Sequence, residues 1–282
     1  MTIKIVIDSA ADLPADEAES LGITVVPLNV NFGAESFKDG VDISAGDFYE
    51  RLAKGPGLPT TSQPSPGDFA EVYDRLGEDA DGIVSMHISS KESGTYNSAM
   101  QAKDQTTAKC PIEVVDCEQF SMGVGLIAMK AAGVAREGGG IEEVVATARA
   151  AIGRAEVFCA FDTLEYLMKG GRLGKAQGMV GSLLKIKPMI IIRDGRVDQL
   201  AKVRTFAKSV AKLQEVAREF APLESFAVLH STTPEAAREL AESLRDLLPE
   251  GTEPQVARFG SVIGTYTGPG ALGMGVLRAE GG

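Results

Sequence analysis

Basic side chains are scarce in this 282-residue chain: 28 Lys and Arg stand against 39 Asp and Glu, giving −11 with both histidines neutral. That deficit argues against nucleic acid as a partner and against a broad anionic-membrane surface, since phosphate contacts call for a surplus of Lys and Arg. A local basic patch and transient membrane contact stay open. Cysteine is scarce as well. Cys110, Cys117 and Cys159 form no CxxC pair, and with only His87 and His230 they offer no spacing typical of structural zinc. An odd, sparse count fits a reducing compartment. Long apolar runs are missing, with none near the roughly 18 residues of a membrane-spanning helix. The start, MTIKIVIDSAADLP, lacks the basic-then-apolar-then-small order of a secretory signal. The expectation is a soluble, cytoplasmic protein.

Catalytic signatures are absent too. No GxxxxGK[ST] phosphate loop occurs, no GxGxxG follows the first strand, and neither HExxH nor GxSxG is found. What is present is ordinary for a globular chain with a sizeable core: 44% hydrophobic and 24% charged residues. The length suggests about two domains.

The first half alternates strand and helix signals. Apolar runs at 3–8, 23–28, 82–88 and 112–116 are separated by helical patterns at 15–21, 67–76, 96–106 and 123–137. This predicts a parallel sheet covered by helices on both faces, with ligands bound outside the carboxyl ends of its strands. A helix over 141–154 closes that half. Strand candidates then follow at 157–161, 188–192, 196–200, 226–230, 256–260 and 274–278, with helices at 205–220 and 234–248. Asp194-Gly195 reads as a type I′ hairpin turn, and Thr233-Pro234-Glu235 as a helix start with a threonine cap. The expected fold class is α/β: an N-terminal parallel-sheet domain over 1–153, and an α+β domain with a mainly antiparallel sheet over 154–282.

Five polar or glycine-rich segments interrupt the periodicity. Asp8-Ser9-Ala10-Ala11-Asp12 follows the first strand, where Asp8 and Ser9 would line a crevice while Asp12 or Ser9 caps the next helix. Thr60-Thr61-Ser62-Gln63-Pro64-Ser65-Pro66 has no helical or strand period, so it reads as a proline-stiffened loop. There Thr61 and Ser62 face a ligand and Ser65 caps a helix. Ser93-Gly94-Thr95 opens the helix after the third strand, where free N–H groups and the helix dipole favour an anion. Met168-Lys169-Gly170-Gly171-Arg172 suggests a tight turn delivering a guanidinium, a fork suited to carboxylate or phosphate. Ile263 to Ala271 reads as a hydroxyl-bearing glycine-rich loop. A hydrolase or transferase using Ser93 or Asp8 in the same crevice is the alternative class.

Taken together, DSAADLP at 8–14, TSQPS at 61–65, SSKESGTYNSA at 89–99, FDTLEYLMKGGRLG at 161–174, KIKPMI at 185–190 and IGTYTGPGALG at 263–273 resemble the bacterial DegV family over essentially the whole chain. The resemblance implies a non-enzymatic carrier that binds a long-chain fatty acid between two α/β domains. It further implies that the acid is presented to a separate fatty-acid kinase subunit, with no cofactor and no metal. Residue by residue, it implies that Thr61, Ser62 and Ser93, with the backbone of Gly94, hold the carboxylate. Arg172 would sit near the head group and serve the partner. Tyr266 stands where many members carry histidine. The apolar run after the glycine turn, with Met179, Val180, Leu183, Leu184 and Ile186, is the candidate tail lining; such residues equally fit a plain core.

Overall fold

The computed structural model describes residues 1–55, 57–179 and 186–281. Four strands build the first sheet: β1 (Ile3–Asp8), β2 (Ile23–Val26), β6 (Gly82–His87) and β7 (Ile112–Asp116), all parallel, in the order β2-β1-β6-β7. Both faces of the central strands β1 and β6 are buried, which explains their continuous apolar runs. Val6, Ile83 and Val114 pack under α3 (Pro66–Leu76) and α4 (Thr95–Gln105). Ile5, Ile7 and Val84 face α5 (Met122–Arg136) and α6 (Ile141–Ile152) instead. The strand order reverses between β1 and β6, so their carboxyl ends flank the crevice where such sheets bind ligands. The short helix α1 (Ala15–Leu21) joins β1 to β2.

The second sheet has the order β10-β9-β8-β13-β11-β12, with antiparallel pairing throughout except between β11 and β12. Its strands are β8 (Ala155–Ala160), β9 (Lys187–Arg193), β10 (Arg196–Val203), β11 (Leu223–His230), β12 (Gln255–Arg258) and β13 (Leu272–Arg278). Alternation sorts the two faces. Phe158, Met189 and Ile191 lie under α8 (Phe206–Glu219) and α9 (Pro234–Ser243). Val157, Cys159, Ile190 and Ile192 turn toward the first sheet and join its core. Helix α5 is wedged between the sheets because glycines permit close approach. A Cβ on Gly123 would come 2.6 Å from Val157 Cγ2, and one on Gly275 would come 3.1 Å from the Met122 carbonyl carbon.

Several sequence expectations change. Between β2 and α3 lie a small antiparallel sheet, β4-β3-β5, and an amphipathic helix. These are β3 (Asn29–Phe32), β4 (Glu35–Lys38), α2 (Ala45–Lys54) and β5 (Thr60–Ser62). The stretch read as an unpaired loop is thus strand β5, with Thr61 opposite Val30. The stretch 263–271, read as a loop, is in large part helix α10 (Ser261–Thr267), preceded by the short α7 (Glu165–Lys169) earlier in the chain. Gly264 is tolerated in α10 because Phe48 and Tyr49 press on it; a Cβ there would lie 2.7 Å from Phe48 Cε1 and 2.7 Å from the Tyr49 phenol oxygen. Thr233 makes no side-chain cap to α9, although Pro234 does occupy the first turn. Asp12 does not cap the start of α1 either, its oxygens being taken by Ser121 and Gly260. The expected hairpin turn is present: Asp194 and Gly195 both have positive φ, 49° and 67°, as type I′ requires.

Candidate functional site

The carboxyl end of β1 is closed rather than open. Asp8 is fully buried, and its carboxylate accepts from the N–H of Ala10 at 3.1 Å and of Ile88 at 3.0 Å. His87 Nδ1 lies 3.0 Å from the same carboxylate, and His87 Nε2 lies 2.7 Å from Ser85 Oγ. Tyr73 donates to Ser85 at 2.8 Å, which completes a chain of four side chains without solvent contact. The order Asp-His-Ser resembles a nucleophile triad, but substrate has no route to it. It satisfies buried polar groups and ties β1 to β6.

Beyond Asp8 the crevice is a cavity that, counted together with the open space at its mouth, spans about 870 Å³. The inward face of the second sheet supplies one wall through Val157, Cys159, Ile190, Ile192 and Val197. Helix α10 supplies another through Val262, Ile263, Tyr266 and Thr267, the i, i+1, i+4, i+5 positions of one helical face. Phe120 and Phe161 add aromatic surface, so the interior is mostly hydrocarbon.

Polar groups gather at one part of this wall. Thr61, Ser93, Gly94, Arg172 and Tyr266 all line it, brought together from β5, the α4 cap, the glycine turn and α10. Thr61 Oγ1 and the Tyr266 phenol are 2.5 Å apart. Ser93 Oγ accepts from Thr95 N–H at 3.3 Å and sits 2.9 Å from Thr95 Oγ1. The Gly94 N–H has no acceptor among the described residues, so it remains free for an anion at the start of α4. Gly94 also faces Gln63; a Cβ at 94 would lie 2.7 Å from Gln63 Nε2. Ser62 lies on the other side of β5, exposed and outside the cavity wall.

Arg172 owes its placement to the two glycines. Gly171 adopts φ +72°, and Gly170 lies against Tyr266, whose ring atom would be 2.6 Å from a Cβ there. The half-buried guanidinium donates to the Gly170 carbonyl at 2.8 Å and sits 5.4 Å from the Tyr266 ring centroid. Among the described residues no carboxylate pairs with it. Glu92, also in the wall, is paired with Arg196 at 3.3 Å. Of the candidate tail residues, Met179 is buried and Ile186 half-buried, both outside the cavity wall. Val180, Leu183 and Leu184 lie outside the described residues. The apolar wall that sequence reasoning missed comes from β8–β10 and α10; its strand stretches 155–160 and 187–193 each hold a continuous apolar run, so which face would line a cavity carries no sequence signal.

Two buried carboxylates anchor α10 behind this wall. Asp12 accepts from Gly260 N–H at 2.8 Å and from the Ser121 hydroxyl; Asp39 accepts from Ser261 N–H at 3.1 Å and from Ser261 Oγ at 2.5 Å. Burial pushes the Asp12 carboxyl well above the usual carboxylate range, against the pull of those donors, and raises Asp39 in the same way. Among the described residues, no group of three or more His, Cys, Asp or Glu side chains could hold a metal ion.

A family model described as "Uncharacterised protein, DegV family" matches residues 2–279. The chain belongs to the DegV family. A DegV domain-containing protein of Streptomyces coelicolor is 41% identical, covering 96% of this chain and 97% of its own. A solved DegV family protein from Thermus thermophilus, described by its fatty-acid binding, superposes with a TM-score of 0.90 at 35% identity, over 98% of this chain and 99% of that one. A stearic-acid-binding protein from Eubacterium ventriosum superposes with a TM-score of 0.89 at 29% identity, covering 98% of both.

Proposed function

We propose that this DegV protein binds a long-chain fatty acid in the cavity described above, with the tail along the hydrocarbon wall. Its carboxylate would lie at Thr61, Ser93 and the Gly94 N–H, with Ser62 just outside. The observation that carries this reading is the lopsided cavity: hydrocarbon over most of its wall, with the Thr61, Ser93 and Tyr266 hydroxyls, the Gly94 N–H and the Arg172 guanidinium at a single place. A tail of about fourteen methylenes at roughly 0.8 kcal/mol each offers on the order of 10 kcal/mol before association costs. About 5–8 kcal/mol remains, which approaches micromolar binding. Neutral donors then suffice to orient the head.

Arg172 would stand beside the head group and act toward a phosphorylating partner, a separate kinase subunit that receives the acid from this carrier. Its planar fork and lack of a carboxylate partner among the described residues support that role. The rival enzyme reading has less support. Ser93 meets only Thr95 among the described side chains, and the buried His87 is committed to Asp8 and Ser85. We assign the carrier to the cytoplasm on its sparse, unpaired cysteines, Cys110, Cys117 and Cys159, which fit a reducing compartment.

Organic extraction of the purified protein, followed by mass spectrometry, should recover one acyl chain per protein. Ser93→Ala should weaken acid binding by about 1–2 kcal/mol, the scale of a hydrogen bond to a charged group. Protein that is empty after extraction and fails to take up added palmitate would end this reading.

A further inference from the structure

The Gln63 side chain lines the cavity, yet its amide hydrogen-bonds to nothing among the described residues. Its placement follows from β5. Thr61 and Gln63 line the wall while Ser62 between them does not, so Gln63 carries the alternation of the strand one residue further. Pro64 comes next and is buried. A residue before proline is held to extended backbone, which keeps Gln63 on the Thr61 face. Gln63 is also exposed, so it stands where the cavity meets solvent.

The whole amide lies against Gly94. A Cβ on Gly94 would come 2.7 Å from Gln63 Nε2, 3.0 Å from Cδ and 3.3 Å from Oε1, so any other residue there would push the amide aside. Gly94 has φ −78° and ψ 0°, values that other residues adopt as well. Its missing side chain therefore serves the close approach of Gln63, not the backbone angle. The same glycine presents the free N–H at the start of α4. A carboxylate accepting from that N–H comes within reach of the amide, which offers two uncharged donors. An ionised carboxyl group can accept in about four directions, more than Thr61, Ser93 and the Gly94 N–H fill.

We infer that Gln63 is a head-group residue, its amide closing over the acid and donating to the carboxylate beside the Gly94 N–H. The inference rests on the fatty-acid reading above and adds a side chain to its polar end. Gln63 then acts on the charged end of the ligand and not on its tail.

The test compares palmitate with hexadecanol, equal in tail and different in head, by displacement of a fluorescent acyl probe from the delipidated full chain. Wild type should prefer palmitate. Gln63→Ala should weaken palmitate by about threefold to tenfold, the range of one net hydrogen bond, and leave hexadecanol within about twofold. Gln63→Glu sets a like charge beside the acid. It should weaken palmitate more than the alanine variant does, and about 1 M salt should restore part of that loss. A palmitate-to-hexadecanol affinity ratio equal in wild type and both variants would mean that Gln63 only packs on Gly94. That result overturns its head-group role and, while wild type still binds palmitate, leaves the fatty-acid reading intact. Folded wild type that takes up neither ligand overturns both.

Discussion

Among single residues, Tyr266 has the most consequence for the polar cluster, because it lies between Thr61 and Arg172. Its phenol lies 2.5 Å from the Thr61 hydroxyl, either able to donate, and its ring underlies the guanidinium. If the phenol donates, the Thr61 proton is free to point at a ligand carboxylate, and the chain of hydroxyls is mutually polarised. Tyr266→Phe should therefore cost about 0.5–1.5 kcal/mol of acid affinity, measured by titration of the delipidated protein. Tyr266→His puts a group that can carry charge at this position. An imidazole with an ordinary pKa near 6.5 would gain charge as pH falls from 8 to 6. Affinity for the acid should rise over that window in the histidine variant, relative to the wild type. Equal pH profiles for the two proteins would show that position 266 does not sense the carboxylate.

At the scale of an element, α10 is a short helix with a glycine inside it, held by contacts rather than by propensity. Asp12 from the turn after β1 and Asp39 from the turn after β4 grip its first residues, and Phe48 and Tyr49 pack against its middle. The raised Asp12 carboxyl gives this grip a pH signature. The native state binds a proton that the unfolded chain, with a carboxyl near 3.9, has already released. Stability from this group is thus present at low pH and declines as pH rises toward the folded pKa, then stays level. Asp12→Asn keeps an acceptor for the Gly260 N–H and removes the titration. In urea unfolding from pH 4 upward, the stability of wild type relative to the variant should fall by at least about 1 kcal/mol. Parallel curves would mean that Asp12 titrates alike in both states.

The same element shows where sequence legibility stops. The periodic strands and helices of both sheets, the Ser65 cap and the Asp194-Gly195 turn are local signals and were readable. Helix α10, strand β5 and the role of Asp12 are not local. Gly264 reads as a loop residue until Tyr49 is placed against it, and Thr60–Ser62 becomes a strand only by pairing with β3. Thr61 and Ser93, which line the cavity, could be named because they sit in compact polar motifs, whereas Ser62, named with them, lies outside the wall because pairing in β5 turns it away. The hydrocarbon wall could not, because it is spread over β8, β9, β10 and α10, and each of its residues also looks like ordinary core.

For the whole molecule, the cavity lies where two sheets meet around α5, so whatever fills it touches both halves at once. The halves already hold each other directly: Ser89 donates to the Gly195 carbonyl at 2.7 Å, and Lys91 to that of Asp194 at 2.8 Å. An acyl chain bound to the native state alone would add to this by mass action. At a hundredfold excess over its dissociation constant it contributes about 2.7 kcal/mol. In a chain of this size that corresponds to a rise of about 5–10 °C in Tm. Delipidated protein should show the lower Tm in calorimetry, and added palmitate should restore it in a concentration-dependent way. Hydrogen exchange should slow together in β9 and in the first turn of α4, since they border the cavity from opposite halves. Protection confined to one half would mean that the chain docks on a single sheet, and the cavity between the two would not be its site.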